Sequence, residues 1–292
     1  MNRPKVGLVL GGGGTRGLAH IGVLKVLLRE QIPFDFIVAT SMGGIVASLY
    51  GLGKSLDEIG EGMQQGMALN NPETSVLDNV KNVGLVSSRG RQQRMRQQLE
   101  SVIGDQTFAD LQIPVSLMAV DMLQGKEVVL QDGPLVPAIL ASSAVPGVFP
   151  PVVIDGRQLM DGGVIDSVAT HVAFEQGADK VIAVDVYPAL ETENIWSDPI
   201  GDITGVRWNA WLGRGDEAEF KRPSLMASLW RASRIMTWHL HDQRLKLHPP
   251  DVYMRPAVDA IGSLDFKDTK GPIEAGVIEA ERHLEALREL CI

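Results

Sequence analysis

Three short stretches of the chain carry residue types suited to serine-based acyl transfer. Thr40-Ser41-Met42-Gly43 places a hydroxyl between an apolar run and a helical one. That is the setting of a nucleophile elbow, where a sharp strand-to-helix turn exposes the serine and demands small residues two places before and after it. Those residues are Ala39 and Gly43, so the usual Gly-x-Ser-x-Gly pattern is met except for one methyl group. A helix beginning at Met42 would aim its free amides and the positive end of its dipole at the hydroxyl. Taken alone, Ser41 reads better as a simple helix N-cap.

The second stretch, Gly11-Gly-Gly-Gly-Thr-Arg-Gly17, shifts that balance. Four residues without Cβ let the backbone come close to a ligand and present successive N–H groups to a negative oxygen. A plain tight turn needs only one or two positive-φ positions. Arg16 would orient this loop or face a phosphate charge, although a solvated surface arginine is the commoner case. The third stretch is Asp161-Gly162-Gly163, where two glycines let the chain turn away and leave the Asp161 carboxylate in the site as a base. Its plainer reading is a turn aspartate. With an ordinary pKa of about 3.9, such a base would need burial or a tight hydrogen bond to tune it. The six histidines are scattered and none lies in a catalytic sequence context; a triad through His171 stands as an alternative. His239 and His241 are two residues apart and would point to different faces of a helix, which disfavours a metal pair.

Elements that could bring these stretches together follow from the apolar pattern. Val6 to Leu10 is a continuous apolar run, as in a strand buried on both faces, and Leu18, Ile21, Leu24 and Leu28 recur at helical spacing after it. A second strand is expected over 34–38 and a second helix over 42–52. This alternation predicts an α/β domain with a mostly parallel sheet, further strands falling at 115–120, 127–130 and 181–186. Asp155-Gly156 marks a hairpin between 152–154 and 158–160. Ile273, Val277, Ala280, Leu284 and Leu287 predict a C-terminal covering helix with Pro272 in its first turn. The expected organisation is a single domain over 1–292, with an irregular insert or lid at about 188–224. All three candidate stretches follow strands, so they would gather at the carboxyl edge of the sheet, where open parallel sheets bind ligands.

Composition narrows the function classes. The 292 residues carry 27 − 36 = −9 net charge, so no global positive field recruits nucleic acid. A single cysteine, Cys291, excludes a disulfide framework and favours a reducing compartment. The start of the chain lacks a secretory h-region, which predicts a cytoplasmic protein. Two uncharged stretches, 36–53 and 133–154, fail as membrane spans because glycines break the first and five prolines the second.

Together these stretches resemble the patatin-like phospholipases, specifically small bacterial members related to the neuropathy target esterase catalytic domain, most specifically over residues 5 to 190. Leu10-Gly-Gly-Gly-Gly-Thr-Arg-Gly-Leu-Ala-His-Ile-Gly-Val-Leu24 is similar to that family's oxyanion loop and first helix. Thr40-Ser41-Met42-Gly43 is similar to its nucleophile motif, and Ala141-Ser-Ser-Ala-Val-Pro-Gly-Val-Phe-Pro-Pro151 to the segment ahead of its Asp-Gly-Gly. The resemblance implies a three-layer α/β/α patatin-like fold and a Ser41–Asp161 dyad. It also implies an oxyanion hole from the Gly12, Gly13 and Gly14 amides, and hydrolysis of lipid acyl esters with no cofactor or metal. Two departures stand out: Ala39 at the elbow, and Asp166-Ser-Val-Ala169, which lacks the Asn and Pro often found after Asp-Gly-Gly and adds a charge that could alter the base's proton affinity.

Further features bear on substrate. Trp196, Trp208 and Trp211 fall in the expected insert and suit a lipid–water boundary, hence an expected peripheral contact with the inner membrane. Leu225, Leu229, Ala232 and Met236, beside Trp230 and with Trp238 nearby, predict an amphipathic helix docked on the sheet. Arg89, Arg91, Arg94 and Arg96 read as a solvated helix face, with headgroup binding as the sharper alternative. Segment 134–154 could line an acyl pocket with Leu140, Val145 and Phe149, or be core. Two other readings compete. Gly12, Gly14 and Gly17 with Asp35 fit a dinucleotide fingerprint, but Asp35 lies at the wrong end of its strand. A catalytically weak regulatory protein on the same scaffold is suggested by Ala39 and Asp166.

Overall fold

A computed structural model describes residues 3–68, 88–190, 225–262 and 268–290. Its eight strands are β1 (Val6–Leu10), β2 (Phe36–Thr40), β3 (Val115–Asp121), β4 (Lys126–Leu130), β5 (Val152–Ile154), β6 (Arg157–Asp161), β7 (Lys180–Val184) and β8 (Val252–Met254). The described helices are α1 (Ala19–Arg29), α2 (Met42–Gly51), α3 (Leu56–Ala68), α4 (Ser88–Ile103), α5 (Leu135–Ser142), α6 (Thr170–Glu175), α7 (Leu225–Leu247), α8 (Lys270–Arg282) and α9 (Leu284–Glu289). The sheet runs β5-β6-β3-β2-β1-β7-β8, with β4 also paired to β3. Strands β3, β2, β1, β7 and β8 pair parallel, β4 and β6 pair antiparallel with β3, and β5 pairs antiparallel with β6.

The central strands are apolar throughout because both faces are covered. On β1 and β2, Leu8, Leu10, Ile37 and Ala39 join the core shared with α1, α2, α5 and α8, while Val9, Phe36 and Val38 join a second cluster with Val172 and Ala173 of α6. The result is a layered α/β/α arrangement. Gly22 and Gly276 let α1 and α8 pack backbone to backbone, since a methyl on either would run into a carbonyl of the other helix.

Several sequence expectations are corrected. The C-terminal covering helix is two helices, α8 and α9, with a break at His283. Leu28 of α1 reaches the surface. Residues 135–142, read as undifferentiated interior, form α5, which tolerates Pro137 because first-turn amides have no intrahelical acceptor. The expected docked stripe on α7 is turned outward: Leu229 is 55% exposed and Met236 66%. The helix instead buries polar groups, Arg234 and His241. The reason lies in what it packs on: His241 Nε2 meets Asp185 at 3.0 Å, Arg234 donates to the Pro188 carbonyl and Thr237 bonds Tyr187. Trp230 and Trp238 are half-buried. The arginine-rich helix α4 is partly tied down, with Arg91 donating to the Val148 carbonyl and Gln92 to that of Pro150. Trp196, Trp208, Trp211 and almost all of the expected insert lie outside the described residues. Among the described residues, no helix is long and apolar enough to cross a membrane.

Candidate active site

Strand register explains how distant residues meet. β3 pairs along one edge with β4 over Leu117 to Asp121, so its other edge must carry both β2 and β6. On that edge Thr40, the last residue of β2, stands opposite Met118, and Asp161, the last residue of β6, stands opposite Ala119. The two strands approach from opposite directions and end head to head. The residues that follow, Ser41 and Gly162, must therefore leave the sheet at the same place. Gly162 is fixed there by space, because a Cβ would press on the Met118 backbone at 2.7 Å.

Ser41 occupies the N-cap position of α2, yet its side chain makes no capping hydrogen bond. It adopts φ 53°, ψ −121°, a region that costs a non-glycine residue about 1–3 kcal/mol. Its side chain instead lies beside the Asp161 carboxylate, whose pKa it lowers. The turn is held by Ser142, whose Oγ accepts the Ser41 amide at 3.0 Å, a contact that no motif in the sequence signals. Gly43 is required because a methyl would collide with the Leu10 carbonyl, whereas Ala39 fits, buried between Leu10 and Leu117 in the sheet.

Asp161 is almost fully buried. Burial pushes its carboxyl up to about 6, against the opposing pull of the hydrogen bond from the Gly163 amide, at 2.8 Å, and of the neighbouring Ser41 side chain. Such a carboxyl is a better proton acceptor than an exposed aspartate and is still ionised at neutral pH.

The glycine loop lies against the same place: a Cβ at Gly12 would stand 3.3 Å from Ser41 Cβ and 3.4 Å from Ser167 Oγ. The amides there are not equivalent. Gly12 donates to the Ser167 carbonyl at 3.1 Å, so its N–H is already engaged. Among the described residues, the amides of Gly13 and Gly14 have no acceptor, and the amide of Met42, first residue of α2, has none within its helix. Gly13 is extended, at φ 177°, and is small because Val186 packs where its Cβ would be. The loop is anchored from below by His20, whose Nε2 bonds the Gly11 carbonyl at 2.7 Å. Burial lowers His20 to about 4, so the imidazole is neutral. Arg16, expected at the surface, is 4% exposed, drawn in by the short 3-10 turn Gly14–Leu18 beneath the loop.

His171 does not join Ser41. Its ring lies between Asp166, at 3.3 Å, and Glu127, at 3.2 Å, and these carboxylates raise it to about 9. A protonated, doubly paired imidazole cannot take a proton from a serine. Glu127, Asp166 and His171 offer ligand atoms within 4.8 Å of one another, the spacing of a cation site. The charge is balanced from within: Arg244 approaches Glu127 at 2.6 Å and Asp166 at 3.5 Å. Asp166 thus sits in an ion-pair cluster, and the shift at Asp161 has burial, the Gly163 amide and the Ser41 side chain as causes. The dinucleotide alternative loses its acid: Asp35 pairs with Arg3 and accepts the Val6 amide at the start of β1, on the opposite edge of the sheet.

The patatin-like phospholipase family model matches residues 8–174, which include all three stretches. The chain belongs to this family. Its relatives include patatin-like phospholipase domain-containing protein 6 of Mus musculus, 30% identical over 264 residues, covering 89% of this chain and 19% of the relative. Lysophospholipase nte1 of Aspergillus fumigatus is 27% identical over 297 residues, covering 97% of this chain and 18% of that protein. The chain therefore spans about a fifth of the length of these relatives. Among solved structures, VipD from Legionella pneumophila shares the fold, with a TM-score of 0.51 at 12% identity over 99% of this chain and 67% of that one.

Proposed function

We propose that the chain is a serine esterase acting on lipid acyl esters, of phospholipase or lysophospholipase type, through a Ser41–Asp161 dyad that works without a metal. The observation that carries this reading is the strained Ser41, whose hydroxyl forgoes the cap and lies beside a buried carboxylate tuned to about 6. Ser41 attacks the ester carbonyl while Asp161 takes its proton, and the oxyanion is held by the amides of Gly13, Gly14 and Met42. The alcohol or lysolipid leaves, and water, activated by Asp161, then releases the fatty acid. Arg16, buried in the 3-10 turn that follows the glycine loop, is placed to orient that loop. The printed names of the relatives, a phospholipase and a lysophospholipase, support the substrate class.

Peripheral contact with a lipid surface is part of the same reading, supported by the outward apolar stripe of α7, in which Leu229, Met236, Leu240 and Leu247 share one side of the helix. The test is covalent labelling by a fluorophosphonate probe together with fatty-acid release from a lipid panel followed by mass spectrometry. Labelling and release by the wild type, both lost in Ser41→Ala, are expected. An unlabelled wild type that releases no fatty acid would overturn the reading.

A further inference from the structure

The segment after the Asp-Gly-Gly turn does more than lead away from the base. Ser167 is buried and grips Gly12 twice: its carbonyl accepts the Gly12 amide at 3.1 Å, and its Oγ donates to the Gly12 carbonyl at 3.0 Å. Gly12 thereby has both its peptide groups fixed by one residue, directly before the two amides that have no acceptor. Ser167 itself is held from the preceding residue. The Asp166 amide bonds the Gly162 carbonyl at 2.9 Å, and Asp166 Oδ1 accepts the Val168 amide at 3.0 Å. Its Oδ2 lies in the cluster with His171 of α6, Arg244 of α7 and, through them, Glu127 of β4. Asp161 and the clasp on the glycine loop thus stand only six positions apart in the chain. The same rigid stretch supplies both.

We infer that Ser167 is a positioning residue that sets the glycine loop relative to Ser41 and Asp161, with Asp166 and its ion pairs holding Ser167 in place. This rests on the dyad reading above. Two bonds to one glycine matter because glycine has the widest φ/ψ freedom of any residue, so the direction of the N–H groups that follow is otherwise weakly defined. Oxyanion donors act through geometry, and a misplacement of about 1 Å can cost on the order of a hundredfold in rate. The charge that this chain carries at position 166 then acts through placement.

The experiment compares wild type with Ser167→Ala, Ser167→Thr and Asp166→Asn in two readouts. One is steady-state hydrolysis of a soluble aryl ester across pH. The other is amide hydrogen exchange in the peptide covering residues 8–18, which needs no catalytic activity. In Ser167→Ala, kcat is expected to fall about 10- to 100-fold with KM within twofold. The pH limb stays near 6 and exchange at residues 8–18 accelerates. Ser167→Thr, which keeps the hydroxyl, restores most of kcat and of the protection, and Asp166→Asn gives a smaller loss in the same direction. Unchanged exchange in Ser167→Ala, faster exchange with kcat within twofold of wild type, or equal impairment of the alanine and threonine variants would each overturn the proposal. Wild type without esterase activity would refute the dyad reading, and the exchange data would still decide whether Ser167 holds the loop.

Discussion

Ser41 lies beside the Asp161 carboxylate although the two stand 120 positions apart in the chain, and that carboxylate is buried and held at a pKa of about 6. Only the ionised carboxylate can take the serine proton. The rate of acylation, read as kcat/KM for a soluble ester or as the rate of fluorophosphonate labelling, is expected to rise with pH to a plateau with a midpoint near 6. A midpoint near 4, the value of an exposed aspartate, would show that the base is not this group.

Asp161→Asn separates activity from stability. The variant keeps the shape and loses the base, so turnover is expected to fall by at least about two orders of magnitude. Stability moves the other way. The folded-state pKa lies above the unfolded value of 3.8, so the native protein carries a buried charge at a cost above pH 6 and none below pH 4. Removing that charge should raise stability at pH 8 by up to about 3 kcal/mol and leave it unchanged near pH 4. Chemical denaturation at the two pH values measures this, and a variant less stable at pH 8 would contradict it.

His171 has the opposite sign. Asp166 and Glu127 raise it to about 9, so the stability it supplies is fully present below 6.5 and is lost as pH rises through 9. Because the side chain keeps some exposure, His171→Ala is expected to cost about 1–2 kcal/mol at pH 6 and little at pH 10. Melting curves at both pH values check this. Equal losses at the two would mean that the ring only fills space.

Gly43→Ala tests the elbow by crowding. The added methyl meets the Leu10 carbonyl, backbone that cannot swing aside, so a loss of about 2–3 kcal/mol and a marked fall in Ser41 labelling are expected. Ala39→Gly has no clash to relieve, because Ala39 already fits between Leu10 and Leu117, and labelling should change less than threefold. Labelling rates of the two variants, with their melting temperatures, provide the measurement.

The amino-acid sequence by itself determined the strand–glycine–helix alternation and the fold class, and singled out Ser41, Asp161 and the glycine run as candidate groups for chemistry, because apolar periodicity and turn residues act over a few neighbouring positions. It determined just as well that Asp35 sits at the far edge, since that depends only on its place in one strand. What pairs with what was decided by tertiary structure. The head-to-head ends of β2 and β6 on one edge of β3 are a matter of register between strands far apart in the chain, and from them follow the approach of Ser41 to Asp161 and the burial of that carboxylate. In the sequence the Gly12 amide reads as a free donor, but the Ser167 carbonyl, 155 residues away, occupies it. The apolar stripe of α7 pointed inward by periodicity. Periodicity, however, reports which residues share a face and not what that face meets, and here the partner surface is the polar end of β7, so the arginine and histidine face won the interior.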